Sequence, residues 1–234
     1  MKEKIRQFYD KAEKYGGWQQ VPAARIYAIF EEFVDPARMG FSVAKAGLLA
    51  CPVDSDITHL IKLQALKGAS YGLCFGLSLS YLPYPYSPKL KWHRTAKSVN
   101  LDLCEQPQTD WSDADGGVGA GQSYMASALL GEKCFREEFD RTWKAVRPRI
   151  LAWFEATGTL TGVLSKCADH LARKHTGVRR LPGARLVNAF TLARTGKAKE
   201  ARAEFEKFLG EYEEGEQART NLAQALEQIS LKNK

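Results

Sequence analysis

The chain is poor in the residues from which catalytic and metal centres are built. Its 234 residues include four histidines and three methionines. The histidines are His59, His93, His170 and His175. His170 and His175 stand five apart, not at the i, i+4 spacing that puts two ligands on one helical face, and no carboxylate completes a zinc motif. Near a helix C-terminus, these two histidines and Arg173 are explained by the helix dipole. Asp169 and His170 are sequence neighbours, which do not face each other on a helix. No Gly-x-Ser-x-Gly elbow occurs. The expectation is a protein with no catalytic residues, no metal and no cofactor.

Cysteine is equally uninformative as chemistry. Cys51, Cys74, Cys104, Cys134 and Cys167 are widely spread, odd in number and never form a Cys-x-x-Cys pair. Three of them fall in strand-like stretches, where the side chain acts as a small hydrophobe. This points to a reducing, cytoplasmic setting. No apolar run follows the charged start Met-Lys-Glu-Lys-Ile-Arg, so no signal peptide is expected. Ala69 to Leu82 is too short and too rich in Gly and Ser to cross a bilayer.

What is present fits a soluble globular chain, with 44% hydrophobic and 26% charged residues. The net charge of +7 favours an acidic partner. The clearest pattern is Tyr71 to Tyr81. Tyr71, Leu73, Phe75, Leu77, Leu79 and Tyr81 alternate with Gly72, Cys74, Gly76, Ser78 and Ser80. That is the period of a strand, with one bulky face and one small face. A helix, another backbone or a ligand could lie close against the small face, and a helix is the expected occupant.

Two helices are predicted ahead of it. Ile5, Phe8, Tyr9 and Ala12 share a helical stripe that Gly16-Gly17 ends. Pro22 suits the first turn of a second helix, carrying Ile26, Ile29, Phe30 and Phe33 and closed by Asp35-Pro36. Strands are expected at Gly47–Cys51, Thr58–Leu66 and Ser98–Glu105 as well as Tyr71–Tyr81, about four in all. Short connections make them antiparallel. Residues 106–123 are polar and Gly-rich and are expected to form a long loop. Helices are expected from Met125 onward, with Pro148 starting a new one, and again over Leu160–Ala172.

The Gly-rich loop carries the spacing of a phosphate-binding loop over Gly116 to Ser123, but Gln122 occupies the lysine position and an acidic stretch precedes it. Read as a calcium loop, it would put Trp111 and Gln122 at ligand positions, both the wrong type. Neither site is expected to work.

Two basic patches remain. Lys89, Lys91 and Lys97 flank Trp92, His93 and Arg94, beside the turn Tyr84-Pro85-Tyr86. Arg173, Lys174, Arg179 and Arg180 form the second. Such clusters can grip phosphates while exposed aromatics stack on bases, and a solvated basic surface would look the same. Tyr84, Tyr86, Trp92 and Arg94 also have the composition of a protein-binding hot spot.

Near the C-terminus, Leu-Ala-Arg-Thr-Gly-Lys-Ala-Lys-Glu-Ala at 192–201 resembles the turn between paired helices of tetratricopeptide-type repeats. Ala201, Ala203, Phe205, Phe208 and Leu209 would form its seam. One unit is not a solenoid, because stacked neighbours are needed to bury a continuous core. Further upstream, Gly40-Phe41, His59 to Gly68 and Tyr71 to Leu79 follow one another in an order that resembles the bacterial domain-of-unknown-function family 4304. The pattern from Phe135 to Leu164 is similar to that family's second half. The family offers no catalytic residues to transfer. Through related small α+β bacterial proteins, the resemblance implies a toxin-neutralising immunity protein.

The sequence therefore predicts an α+β domain over residues 1–164 and a helical region over 165–234. Its expected role is a non-enzymatic, cytoplasmic protein-binding protein that meets an acidic toxin surface through Tyr84, Tyr86, Trp92 and Arg94. The alternative is a nucleic-acid-binding module that uses the two basic patches. No membrane partner is expected.

Overall fold

A computed structural model describes residues 2–66, 69–84, 91–92, 95, 98–105, 124–172, 183–211 and 215–232. The fold is α+β, with an antiparallel sheet followed by C-terminal helices. Helices α1 (Lys2–Lys14) and α2 (Ala23–Val34) come first. The positive φ of Gly16 and Gly17 ends the first, as the paired glycines predict. Asp35, at φ 50°, closes the second in a left-handed cap. The strands are β1 (Ser42–Lys45), β2 (Leu48–Pro52), β3 (Ile57–Ala65), β4 (Ser70–Leu79), β5 (Pro83–Tyr84), β6 (Lys91–Trp92), β7 (Leu103–Glu105) and β8 (Tyr124–Ser127). Helices α3 (Gly131–Ala156), α4 (Leu160–Ala172), α5 (Ala184–Arg194), α6 (Ala198–Glu211) and α7 (Glu216–Lys232) complete the described chain.

The main sheet runs β1-β2-β3-β4-β7, and β8 also pairs with β4; β5 and β6 form a separate two-stranded ribbon. The stretch read as a bulky and a small face is β4, and every residue from Tyr71 to Leu79 is buried. Its small face is met by backbone at Gly76. A Cβ there would lie 2.1 Å from the Leu103 carbonyl oxygen and 2.7 Å from Cys104 Cα. The Asp102 N–H donates to the Leu77 carbonyl at 2.8 Å, and Asp102 Oδ2 accepts from the Leu79 N–H at 2.7 Å. Glycine is what lets β7 come this close.

Three expectations about secondary structure are corrected, the first being the strand expected over Ser98–Glu105, which is confined to Leu103–Glu105. Tyr124–Ser127 is a strand, not the start of a helix, and α3 begins only at Gly131. Its pairing with β4 explains this: Ser70 faces Ser127 and Tyr71 faces Ala126. A four-residue strand with a register shift leaves too short a pattern to read. Pro148 does not start a new helix; α3 runs through it. Proline in a helix interior costs about 3 kcal/mol. Phe135, Phe139, Trp143, Val146, Ile150 and Trp153, all buried on this helix, offset that cost.

Contacts gather into two units. The first comprises residues 1–49, 61–75 and 106–151. Its centre is aromatic: Tyr71 meets both Tyr27 and Phe135 edge-on, and Phe139 meets Phe30 and Phe33. Helix α2 is tied to α3 by a four-membered charge ring. Glu132 accepts from Arg25 at 2.6 and 2.8 Å and from Arg136 at 2.8 Å, and Glu32 takes both arginines again. The arginine bonds hold the Glu132 carboxyl down at about 2. Glu138, almost fully buried, pairs with Lys11 and accepts the Ser127 N–H at 2.9 Å.

The second unit comprises residues 50–60, 76–105 and 152–234. Thr159 caps α4 by accepting the Gly162 N–H at 3.1 Å. The α5–α6 hairpin has the expected turn. Gly196 adopts φ 79°, the Lys197 N–H reaches the Leu192 carbonyl, and the Gly196 N–H reaches that of Ala193. This is a Schellman closure, which needs a left-handed residue where Gly196 stands. Ala201, Phe205 and Phe208 are buried in the seam as expected. Ala203 is exposed, because it falls on the opposite side of α6.

Candidate functional site

The second unit contains a cleft of about 390 Å³. One wall is the turn between β2 and β3. Asp54 Oδ1 accepts the N–H groups of Asp56 and Ile57, both at 2.7 Å, so the turn is fixed by its own side chain. This presents Ser55 and Asp56. The end of β4 is stitched to the same turn: the Ser80 N–H donates to the Asp56 carbonyl at 3.0 Å, and the Ser80 hydroxyl donates to the Ser55 carbonyl at 2.8 Å.

Helix α5 supplies Arg194 from its last turn, where the helix dipole favours a cation. Its guanidinium meets Asp56 in a fork, Nε to Oδ2 at 2.8 Å and Nη2 to Oδ1 at 3.1 Å. The Asp56 bond raises the Arg194 pKa further. Tyr81 lies beneath, and its hydroxyl is 2.9 Å from Thr191 Oγ1. Thr191 spends its single proton on the Val187 carbonyl at 2.7 Å, so Tyr81 is the donor between the two. Burial pushes the Tyr81 pKa well up, and the phenol stays neutral. Among the described residues, the rest of the lining comes from Trp92 on β6 and from Gln228 and Ile229 on α7.

Trp92 is one of the four expected anchor residues, and the structure places it on the cleft. In the β5–β6 ribbon Pro83 faces Trp92 and Tyr84 faces Lys91. Directly opposed residues share a face and neighbours alternate, so Tyr84 is turned to the side away from Trp92. Tyr86 and Arg94 lie outside the described residues, as do Lys89, Lys97, Arg173, Lys174, Arg179 and Arg180; of Lys91 only the backbone is described. The Gly-rich loop 116–123 is outside them too.

The described histidines have structural partners. His59 on β3 stacks on Phe154, centroids 4.4 Å apart at 13°, and its Nε2 is 3.2 Å from Thr157 Oγ1. Thr157 gives its proton to the Trp153 carbonyl at 2.9 Å, so His59 Nε2 carries a proton and donates. Burial lowers the His59 pKa, and the ring is neutral. His170 Nε2 lies 3.3 Å from Glu105 Oε1, a pairing that joins α4 to β7 and goes beyond the helix-dipole explanation. Among the described residues no group of His, Cys, Asp and Glu could hold a metal ion, and no helix is long and apolar enough to cross a membrane.

Sequence reasoning reached Trp92 and missed the rest of the cleft. Asp56 and Arg194 stand far apart in the chain, and only the docking of α5 brings them together. The Asp54-x-Asp56 turn is the one local signal, and a turn by itself marks no site. No protein-family model, no curated protein and no solved structure matches this chain.

Proposed function

We propose that this is a non-enzymatic protein-binding protein whose recognition site is centred on Trp92 and the adjoining cleft. One observation carries the reading: a tryptophan on a two-residue ribbon borders a pre-formed cleft whose other wall holds an arginine. Tryptophan and arginine are the residue types that dominate binding hot spots, and a rigid wall lowers the cost of ordering on association. The Asp54 turn and the Ser80 bonds supply that rigidity. All five cysteines are free thiols, which supports a reducing compartment, and we place the protein in the cytoplasm.

The narrower form of the proposal is toxin neutralisation. It rests on the resemblance to family 4304 and on the charge of +7, which complements an acidic surface. The test is co-expression with the product of the adjacent gene. Protection of growth and a co-purifying complex are expected. Absence of both overturns the neutralisation reading. Salt-sensitive binding to single-stranded nucleic acid, with no protein complex, would shift the assignment to the basic patches.

A further inference from the structure

We propose that the cleft accepts one uncharged aromatic side chain, tyrosine or tryptophan, from the partner polypeptide. This rests on the protein-binding reading and names the chemistry of its central contact.

Size is the first argument. About 390 Å³ lies near the lower end of the roughly 300–1,000 Å³ typical of small-ligand sites. One ring and its linker fit such a space; a helix or a strand does not. Charge is the second. Asp56 and Arg194 neutralise each other across the wall, and the Asp56 side chain is only 15% exposed. An anionic guest would meet the Asp56 carboxylate beside Arg194, and a cationic guest would meet the guanidinium beside Asp56, so neither charge gains a net partner. A neutral guest disturbs neither.

The distribution of polarity is the third argument. Tyr81, Trp92 and Ile229 offer apolar surface, while Ser55, Ser80 and Gln228 offer polar groups. Tyrosine and tryptophan have the same division, a broad apolar body with one polar handle. A ring against Trp92 would gain an aromatic contact, and its hydroxyl or indole N–H would find a partner on the polar side. An aliphatic side chain would displace water from those polar groups without replacing its hydrogen bonds.

The test is an amide and indole NMR titration of the full chain with blocked amino acids. The probes are N-acetyl-tyrosinamide, N-acetyl-tryptophanamide, N-acetyl-leucinamide, N-acetyl-lysinamide, N-acetyl-aspartamide and adenosine. The two aromatic amides are expected to give saturable, millimolar shifts at the Trp92 indole and the Arg194 Nε–H, and the others none. Ser55→Trp and Gln228→Trp each fill the cleft from an exposed position, so the fold is retained, and each should abolish those shifts. Equal shifts from the leucine or charged amides, stronger shifts from adenosine, or shifts that survive both variants would overturn the proposal. The variants also separate the two levels of the argument. Silent aromatic amides with partner binding still lost in Ser55→Trp defeat the aromatic guest alone. Partner binding undiminished in both variants defeats the cleft as the recognition site.

Discussion

Gly76→Ala is the substitution that most sharply probes how β7 is held against β4. The added methyl would meet the Leu103 carbonyl at 2.1 Å, Cys104 Cα at 2.7 Å and Cys104 Cβ at 2.8 Å. Two of these are backbone atoms, so no rotamer change relieves the clash, and β7 must move. Overpacking of this kind costs about 1–3 kcal/mol. Displacing β7 also breaks the Asp102 N–H bond to Leu77 and the charge-assisted bond from the Leu79 N–H to Asp102, worth about 2–4 kcal/mol together. A total of about 3–7 kcal/mol is expected. For a chain of this size each kcal/mol shifts Tm by about 2–4 °C, which gives a drop of roughly 6–28 °C. Gly210→Ala is the control. Nothing lies within 4 Å of its added methyl, and it sits in α6. Helix propensity there favours alanine by up to about 1 kcal/mol. Thermal melts followed by circular dichroism compare the two. If Gly76→Ala melts alongside Gly210→Ala, β7 does not approach β4 as described.

Three further outcomes follow from buried groups. Glu138→Ala removes the partner of the part-exposed Lys11 and strands the buried Ser127 N–H, so a loss of about 1–3 kcal/mol is expected in urea unfolding, with Glu138→Gln losing less because its amide oxygen can still accept. His59 is held neutral in the folded state by burial, its pKa below the ordinary 6.5. The unfolded chain therefore binds the extra proton as pH falls below about 6.5, and stability declines from there down to the folded pKa. Melts at descending pH should show a smaller decline in His59→Gln than in the parent chain, and equal declines would contradict the assignment. Burial pushes the Cys167 thiol up to about 12 and the Cys134 thiol up to about 11. Alkylation of the native protein, read by mass spectrometry, should spare Cys74, Cys134 and Cys167 and modify only the half-buried Cys51 and Cys104.

The fold was legible wherever a pattern is local. Alternation from Tyr71 to Tyr81 gave β4, the Pro22 and Asp35 signals bounded α2, and Gly196 marked the α5–α6 turn. What escaped depends on distant partners. Tyr124–Ser127 is a strand because β4 is available to pair with it, and its four residues carry no readable period. Pro148 reads as a break, yet one buried stripe from Phe135 to Trp153 holds α3 together across it. The small face of β4 was readable as an invitation to close approach, but not that the visitor would be the backbone of β7.

The candidate site divides in the same way. Trp92 stood out because an aromatic among basic residues on a turn is visible in sequence. Its grouping with Tyr84 came from adjacency in the chain, and the ribbon's register separates the two. Asp56 and Arg194 form the polar wall only after α5 docks, so no spacing rule could have joined them.

The recognition role of Trp92 is tested most directly by isothermal titration of the purified adjacent-gene product into the parent chain and into Trp92→Ala. A hot-spot tryptophan contributes at least about 2 kcal/mol, so roughly 30-fold weaker binding is expected, with the melting curve of the variant unchanged. Affinity within about twofold of the parent, the range of an ordinary rim contact, would contradict the account.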